Sequence, residues 1–261
     1  MRSGRRGDVL VLCYHGISDT WPDEVAVGAE RMRDQVQRLL RRGWRPATFT
    51  DAVLTRPAQR TLAVTFDDAL RSVYRIALPV LQELGVVATV FAPSALVGRG
   101  TPFAWPGTEH WIGTEHEREL EVMSWVELAD LQANGWEVGS HCATHPRLTQ
   151  LDGERLATEL HGSKVEIEHR LEVPCRSVSY PYSDVDDRVA AAARAAGYQA
   201  GATVLPARST ADRLRFPRVP VLATETALGH RLHITRGVRR LQATRSWPSV
   251  RRAAAVLTRA H

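Results

Sequence analysis

The sequence predicts an α/β protein built on a parallel sheet, closed or nearly closed as a barrel. Short continuous apolar runs, typical of strands covered on both faces, alternate along the chain with helical stripes. The stripes stop at Gly43, Gly85, Gly135 and Gly197, as helices ending in a left-handed glycine do. Chemically useful residues cluster where the apolar runs end, which is where α/β folds collect function. Neither a linker nor a repeat interrupts the alternation, so residues 1–261 read as one domain.

The first apolar run, residues 9–14, is a strand with His15 at its C-terminal end. Met32, Val36, Leu39 and Leu40 mark a helix over about residues 30–42. Leu62, Ala63 and Val64 begin a buried strand that ends in Thr65-Phe66-Asp67-Asp68. Val73, Ala77, Val80, Leu81 and Leu84 give a stripe that Pro79 must kink or restart. Residues 86–91 form the next strand. Residues 93–122 are rich in Gly, Pro and Trp with no clear period, and a loop this long is usually functional or disordered. Ser124 and Glu127 have capping-box spacing and open a helix, followed by a short strand at 136–140 and then His141-Cys142-Ala143-Thr144-His145. A long helix carries Leu156, Leu160, Ile167 and Leu171. A strand over 177–182, an alanine-rich helix over about 186–196, a strand near 200–204 and a last strand around Arg218 to Val221 complete the pattern.

Of 261 residues, 44% are hydrophobic, enough for a sizeable core, and no segment approaches the roughly 20 apolar residues of a membrane span. The N-terminus has the charge of a signal peptide, but the apolar run after it is too short for a signal core. Cys13, Cys142 and Cys175 are odd in number and not spaced as metal pairs, which suits buried free thiols in a reducing compartment. A cytoplasmic protein without a cleaved signal is therefore expected. The net charge of +5 rests on scattered arginines, Lys164 being the lone lysine, and no nucleic-acid motif accompanies them, so no nucleic-acid partner is expected.

Two adjacent carboxylates at the mouth of a parallel sheet are costly unless a cation or a proton separates them. One of Asp67 and Asp68 can bind a metal while its neighbour acts as a base; the bland alternative is that Asp68 caps the next helix. His141 and His145 have the i, i+4 spacing of metal ligands, although one such pair among ten histidines is unremarkable alone. Joined to Asp68 it makes an Asp-His-His set, and mixed imidazole and carboxylate ligands suit Zn²⁺ among divalent transition metals.

These motifs resemble those of the polysaccharide deacetylases (NodB-homology domain, carbohydrate esterase family 4). The first two motifs are Thr65-Phe66-Asp67-Asp68 and His141 to His145, with Gly139-Ser140 before the histidines and Ser179-Tyr180-Pro181-Tyr182 beyond them. The likeness runs from Val11-Leu12-Cys13-Tyr14-His15 to Pro217-Arg218-Val219-Pro220-Val221. It implies a deformed (β/α) barrel and a metal-dependent hydrolase that removes N-acetyl groups from an amino sugar or glycan. By position, Asp68, His141 and His145 would hold the metal, and Asp67 would take a proton from a metal-bound water. The backbone N–H of Tyr180 would help stabilise the oxyanion. The acid that protonates the leaving amine lies in a Leu-x-His motif in many members. Leu228-Gly229-His230 has those letters, and His233 lies nearby, but both fall in a stretch that reads as a helix. In a circularly permuted branch that strand has moved to the N-terminus, and Leu12-Cys13-Tyr14-His15 looks like it, which assigns the acid to His15. Trp105 and Trp111 would suit stacking on sugar rings; ordinary packing over the barrel end is the other reading.

Three positions depart from the family pattern. Cys142 replaces the usual Ser or Thr whose hydroxyl supports the histidine loop; a thiol donates more weakly, though it is a soft metal ligand. Ala69 replaces a Gly, so a positive φ there would be strained. Ser179 stands where an arginine normally orients the catalytic Asp, a task Arg218 can assume alongside substrate contact. The segment 246–261, with Arg251, Arg252 and Arg259 among apolar residues, reads as a basic amphipathic helix, suited to packing on the barrel or to peripheral contact with an anionic membrane. An O-acetyl esterase and a carbohydrate-binding protein with a decayed site are the rival functions.

Overall fold

The computed structural model describes residues 7–55, 58–204, 212–226, 229 and 233–235. Among these, the strands β1 (Val9–Tyr14), β5 (Thr61–Phe66), β6 (Ala88–Ala92), β7 (Glu137–Ser140), β8 (Ser177–Ser179), β9 (Ala200–Val204) and β10 (Phe216–Pro220) form one parallel ring. The ring runs β1-β10-β9-β8-β7-β6-β5 and closes where β1 pairs with β5 from Val9 opposite Thr61 to Tyr14 opposite Phe66. This is the deformed (β/α) barrel expected. Short strands β2 (Gly16–Ile17) and β3 (Ala26–Val27) pair outside the ring, and β4 (Arg45–Pro46) pairs with the first two residues of β5. Helices α1 (Ala29–Arg41), α2 (Phe49–Leu54), α3 (Leu78–Glu83), α4 (Trp125–Ala133), α5 (Gly153–Ala157), α6 (Ser163–Leu171) and α7 (Asp187–Ala195) fill the connections.

Side chains alternate across each strand, so two residue sets separate by parity. Leu10, Leu12, Leu62, Val64, Val90, Val138 and Val178 pack in the large core with helical residues such as Met32, Val36, Leu81, Leu128 and Ile167. Val11, Ala63, Phe91, Ala202 and Phe216 form a smaller cluster with Phe49 from α2, which plugs the barrel. Small residues leave room for the large ones: a Cβ added to Gly139 would lie 2.6 Å from both the Phe91 ring and Ser177 Oγ. At the N-terminal end of the strands, Glu137 accepts from Thr50, Thr89 and Ser177 and ties α2 to the barrel.

Several elements differ in detail from the sequence pattern. The 73–84 stripe opens as a wide π-type turn (Val73–Ala77) and restarts as α3 with Pro79 in its first turn, where proline is tolerated. The 156–171 helix is two helices, α5 and α6, joined by a second wide turn (Thr158–Gly162). Strand β8 ends at Ser179, before Tyr180. The short α2, β2, β3 and β4 carry too little periodicity to stand out. Residues 93–122 pack over the strand ends, with Leu120, Trp105 and Trp111 against Trp21, Ala26 and Leu70. No helix among the described residues is long and apolar enough to cross a membrane. The basic segment 246–261 and His230 lie outside the described residues.

Candidate active site

Following the inward parity to the C-terminal mouth leads to the site. After Val11 come Cys13 and His15; after Ala63 come Thr65 and Asp67; after Gly139 comes His141. The next layer above the apolar plug is therefore polar, and it is built around Asp67. Arg218 Nη1 donates to Asp67 Oδ1 at 2.7 Å and Nη2 to Oδ2 at 2.6 Å, a bidentate pair between β10 and the end of β5. Ser179 Oγ donates to Oδ2 at 3.2 Å, and the Cys13 thiol approaches the same oxygen at 3.6 Å. Arg218 also donates to Thr65 Oγ1 at 3.0 Å and Ser179 Oγ at 2.8 Å. Burial alone would raise the Asp67 carboxyl, but the guanidinium of Arg218, helped by His141 and His15, holds it well below the ordinary carboxylate range. Arg218 is 1% exposed, so its guanidinium serves Asp67 and not the open cavity, which corrects its expected contact with substrate.

Asp68 turns the other way. His141 Nε2 lies 3.4 Å and His145 Nε2 3.3 Å from Asp68 Oδ1, and all three residues are buried. His141 Nδ1 sits 2.7 Å from the Ser179 carbonyl and so must donate its proton there. In the neutral ring this leaves Nε2 as a bare lone pair aimed at a carboxylate, two acceptors in contact. Asp68 Oδ1 is buried with no hydrogen-bond partner among the described residues. Such an arrangement calls for a proton or a cation between the three atoms. With a proton as the only relief, His141 is raised: burial works against its charge, and Asp67 and Asp68 outweigh it. The donor set, two imidazole nitrogens and a carboxylate oxygen within 4.8 Å of one another, fits a divalent transition metal.

The backbone here is strained. Asp68 (φ 69°), Ala69 (φ 51°), Cys142 (φ 63°), His145 (φ 64°), Tyr182 (φ 57°) and Ser183 (φ 55°) are all left-handed. Outside the site, Glu172, at the end of α6, is the one further non-glycine in this region among the described residues. Strain gathered this way marks a site whose side chains must be aimed against local preference. Ala69 does adopt the positive φ that is strained for a residue with a Cβ.

A cavity of about 220 Å³ opens above these groups, lined by His15, Asp67, Asp68, Trp105, His141, His145, Tyr180, Tyr182, Ser183 and Val204. His15 stands at its wall beside Asp67, and its Nδ1 has no hydrogen-bond partner among the described residues. Trp105 reaches the cavity, whereas Trp111 does not line it: its indole N–H donates to Asp23 at 2.8 Å, fixing the 93–122 segment to the loop after β2. The Tyr180 backbone N–H donates to the Ala202 carbonyl at 3.3 Å, so the expected oxyanion donor is already committed to the barrel. Sequence reasoning missed Tyr182, whose ring lies edge-on to His145 at 4.7 Å with the Arg147 guanidinium 4.4 Å above it. Its place in Ser179-Tyr180-Pro181-Tyr182 was the available signal. Cys142 is fully buried in the core, outside the Asp68, His141 and His145 set, which removes it as a ligand. His233 pairs with Glu225 at 2.5 Å and is not among the cavity residues.

Comparison with known proteins agrees with this architecture. The model of the polysaccharide deacetylase family matches residues 55–201. The Bacillus subtilis (strain 168) protein YxkH, provisionally named a polysaccharide deacetylase, is 25% identical over 208 residues, covering 78% of this chain and 67% of its own. Among solved structures, the Bacillus cereus polysaccharide deacetylase BC0361 superposes with a TM-score of 0.72 at 24% identity, over 87% of this chain and 69% of that one. Streptococcus pyogenes deacetylase PplD, solved with acetate, superposes at 0.71 with 20% identity, over 87% and 98%. At these identities the structural likenesses establish the fold. With the family match spanning more than half of its residues, this chain belongs to the polysaccharide deacetylase family.

Proposed function

We propose that the protein is a metal-dependent hydrolase that removes N-acetyl groups from an amino sugar or glycan. The observation that carries the reading is Asp68 Oδ1, buried, without a donor and faced by two imidazole Nε2 atoms. A divalent cation bound there, most suitably Zn²⁺, supplies Lewis acidity that polarises an acetyl carbonyl and acidifies water.

The chain's own residues supply the rest. Asp67, ionised across the working pH range and oriented by Arg218, is placed to accept the proton of the attacking water. His15, beside Asp67 on the cavity wall, is placed to protonate the departing nitrogen. An amine leaves poorly without that proton, so an imidazole at this position favours amide over ester cleavage. Tyr182 borders the cavity on the turn after β8 and replaces Tyr180 as the source of a backbone N–H for the developing oxyanion. Trp105 offers an aromatic face to a sugar ring.

Acetate release from N-acetylglucosamine oligomers by zinc-loaded protein tests this, with chelated protein and Asp67→Asn beside it. Metal-dependent release that collapses in the variant is expected. Release from O-acetylated but not N-acetylated sugars would convert the reading to an esterase, and no release from either sugar with zinc demonstrably bound would sink the catalytic reading.

A further inference from the structure

Between the two histidines lie three residues, Cys142, Ala143 and Thr144, and their polar groups are held largely from one neighbouring helix. Glu159 Oε2 accepts from the Ala143 N–H at 2.8 Å and the Thr144 N–H at 2.9 Å, and Oε1 accepts from Thr144 Oγ1 at 2.6 Å. Four residues on, Ser163 Oγ donates to the Cys142 carbonyl at 2.9 Å and lies 2.8 Å from Ser140 Oγ, which accepts from the Cys142 N–H at 3.0 Å. Glu159 sits in the wide turn Thr158–Gly162, where an extra residue per turn re-aims side chains, and such turns recur at functional sites.

We propose that Glu159 is a positioning residue that clamps the His141–His145 loop and thereby sets the site's affinity for its cation. The proposal rests on the reading of Asp68, His141 and His145 as ligands. Its physical basis is the loop's own preference. Cys142 and His145 are both held at positive φ, at 63° and 64°, and such conformations persist only where surrounding bonds over-determine them. The buried thiol of Cys142 is a poor donor for that task. A carboxylate is acceptor-only, so two consecutive N–H groups and a hydroxyl match it without leaving a donor facing a donor. Without the clamp the loop relaxes, and the two Nε2 atoms no longer converge on Asp68.

The test uses the full chain, stripped of metal by a chelator, and measures zinc affinity by competition with a chromogenic chelator. Amide hydrogen exchange at Ala143 and Thr144 is followed in the metal-free protein. Glu159→Ala is expected to weaken zinc binding by roughly ten- to a hundredfold and to speed exchange at both amides. Glu159→Gln is expected to stay close to wild type, because its amide oxygen still accepts both N–H groups and its NH₂ can donate to Thr144 Oγ1. Wild-type zinc affinity in Glu159→Ala overturns the proposal. So does equal weakening in the Ala and Gln variants, which would assign the effect to lost charge. Should Glu159→Ala not fold, Glu159→Asp takes its place; one methylene shorter, it cannot span both N–H groups, and unchanged affinity and exchange would overturn the clamp. Asp68→Ala is the control for the site itself: if wild type and Asp68→Ala bind zinc equally, the metal reading fails, and the exchange rates still judge whether Glu159 holds the loop.

Discussion

Asp67 is surrounded by four donors yet buried, and the balance of those two facts decides how it responds to change. Asp67→Asn keeps the shape and removes the charge, so kcat for deacetylation is expected to fall by about 10²–10⁴, the usual worth of a placed base, with zinc affinity little altered. Arg218→Met leaves a buried carboxylate unpaired, and chemical denaturation at neutral pH should show a loss of roughly 3–5 kcal/mol. The pH dependence then inverts. In the wild type Asp67 is depressed, so its contribution is fully present above the ordinary carboxylate pKa and is lost as pH falls through its lower folded value. Without the guanidinium its folded pKa lies above the ordinary one, and stability is lost as pH rises instead. The acidic limb of the kcat/KM profile should move to higher pH in the same variant. Ala69→Gly is a closer contest. Relief of a left-handed alanine is worth about 1–2 kcal/mol, whereas the buried methyl contributes about 0.8 and glycine's freedom in the unfolded chain about 0.4–1. The terms nearly cancel, and a thermal melt should place the variant within about 1 kcal/mol of wild type, which is why alanine is tolerated there.

At the scale of elements, the strands do the aiming. Each inward row changes from apolar to polar toward its C-terminal end, as in Ala63-x-Thr65-x-Asp67, and the site inherits its geometry from that register. Gly139→Ala tests the coupling: the added Cβ would meet Phe91 and Ser177 Oγ at 2.6 Å, two residues before His141. A loss of about 1–3 kcal/mol in a denaturant melt is expected, with weaker zinc binding because β7 must shift. The same register explains what could be read from the sequence. His15, Asp67 and Asp68 were legible because they follow apolar runs of recognisable length, and His141 and His145 because of their i, i+4 spacing after a short strand. Arg218 was legible as a substitute for the missing arginine from its place in Pro217-Arg218-Val219-Pro220-Val221, but its burial was not. Tyr180 lines the cavity, but β8 ends at Ser179 and the Tyr180 N–H still follows the sheet to the Ala202 carbonyl, a commitment that the sequence does not reveal. Trp105 and Trp111 could not be told apart in a segment without periodicity. Glu159 was invisible for another reason: an i→i+5 turn and an α-helical one share the same apolar spacing to within a residue.

For the whole molecule, bound metal should act as a strut between the ends of two strands, β5 and β7. Zinc at a hundred times its Kd should add about 2.7 kcal/mol to the unfolding free energy, visible as a higher melting temperature, and Asp68→Ala should abolish that shift while leaving the metal-free melt cooperative. The ring order has a further effect during synthesis. β1 closes the barrel by pairing with both β5 and β10, and Asp67 finds Arg218 across 151 residues of chain. Pairings so distant in sequence form late and slowly. Until β10 has left the ribosome, β1 and β9 present open edges and the Asp67 carboxylate has no guanidinium to receive it. The nascent chain is thus both inactive and most prone to sticky edge pairing at the same moment, and both conditions end with the arrival of one five-residue strand.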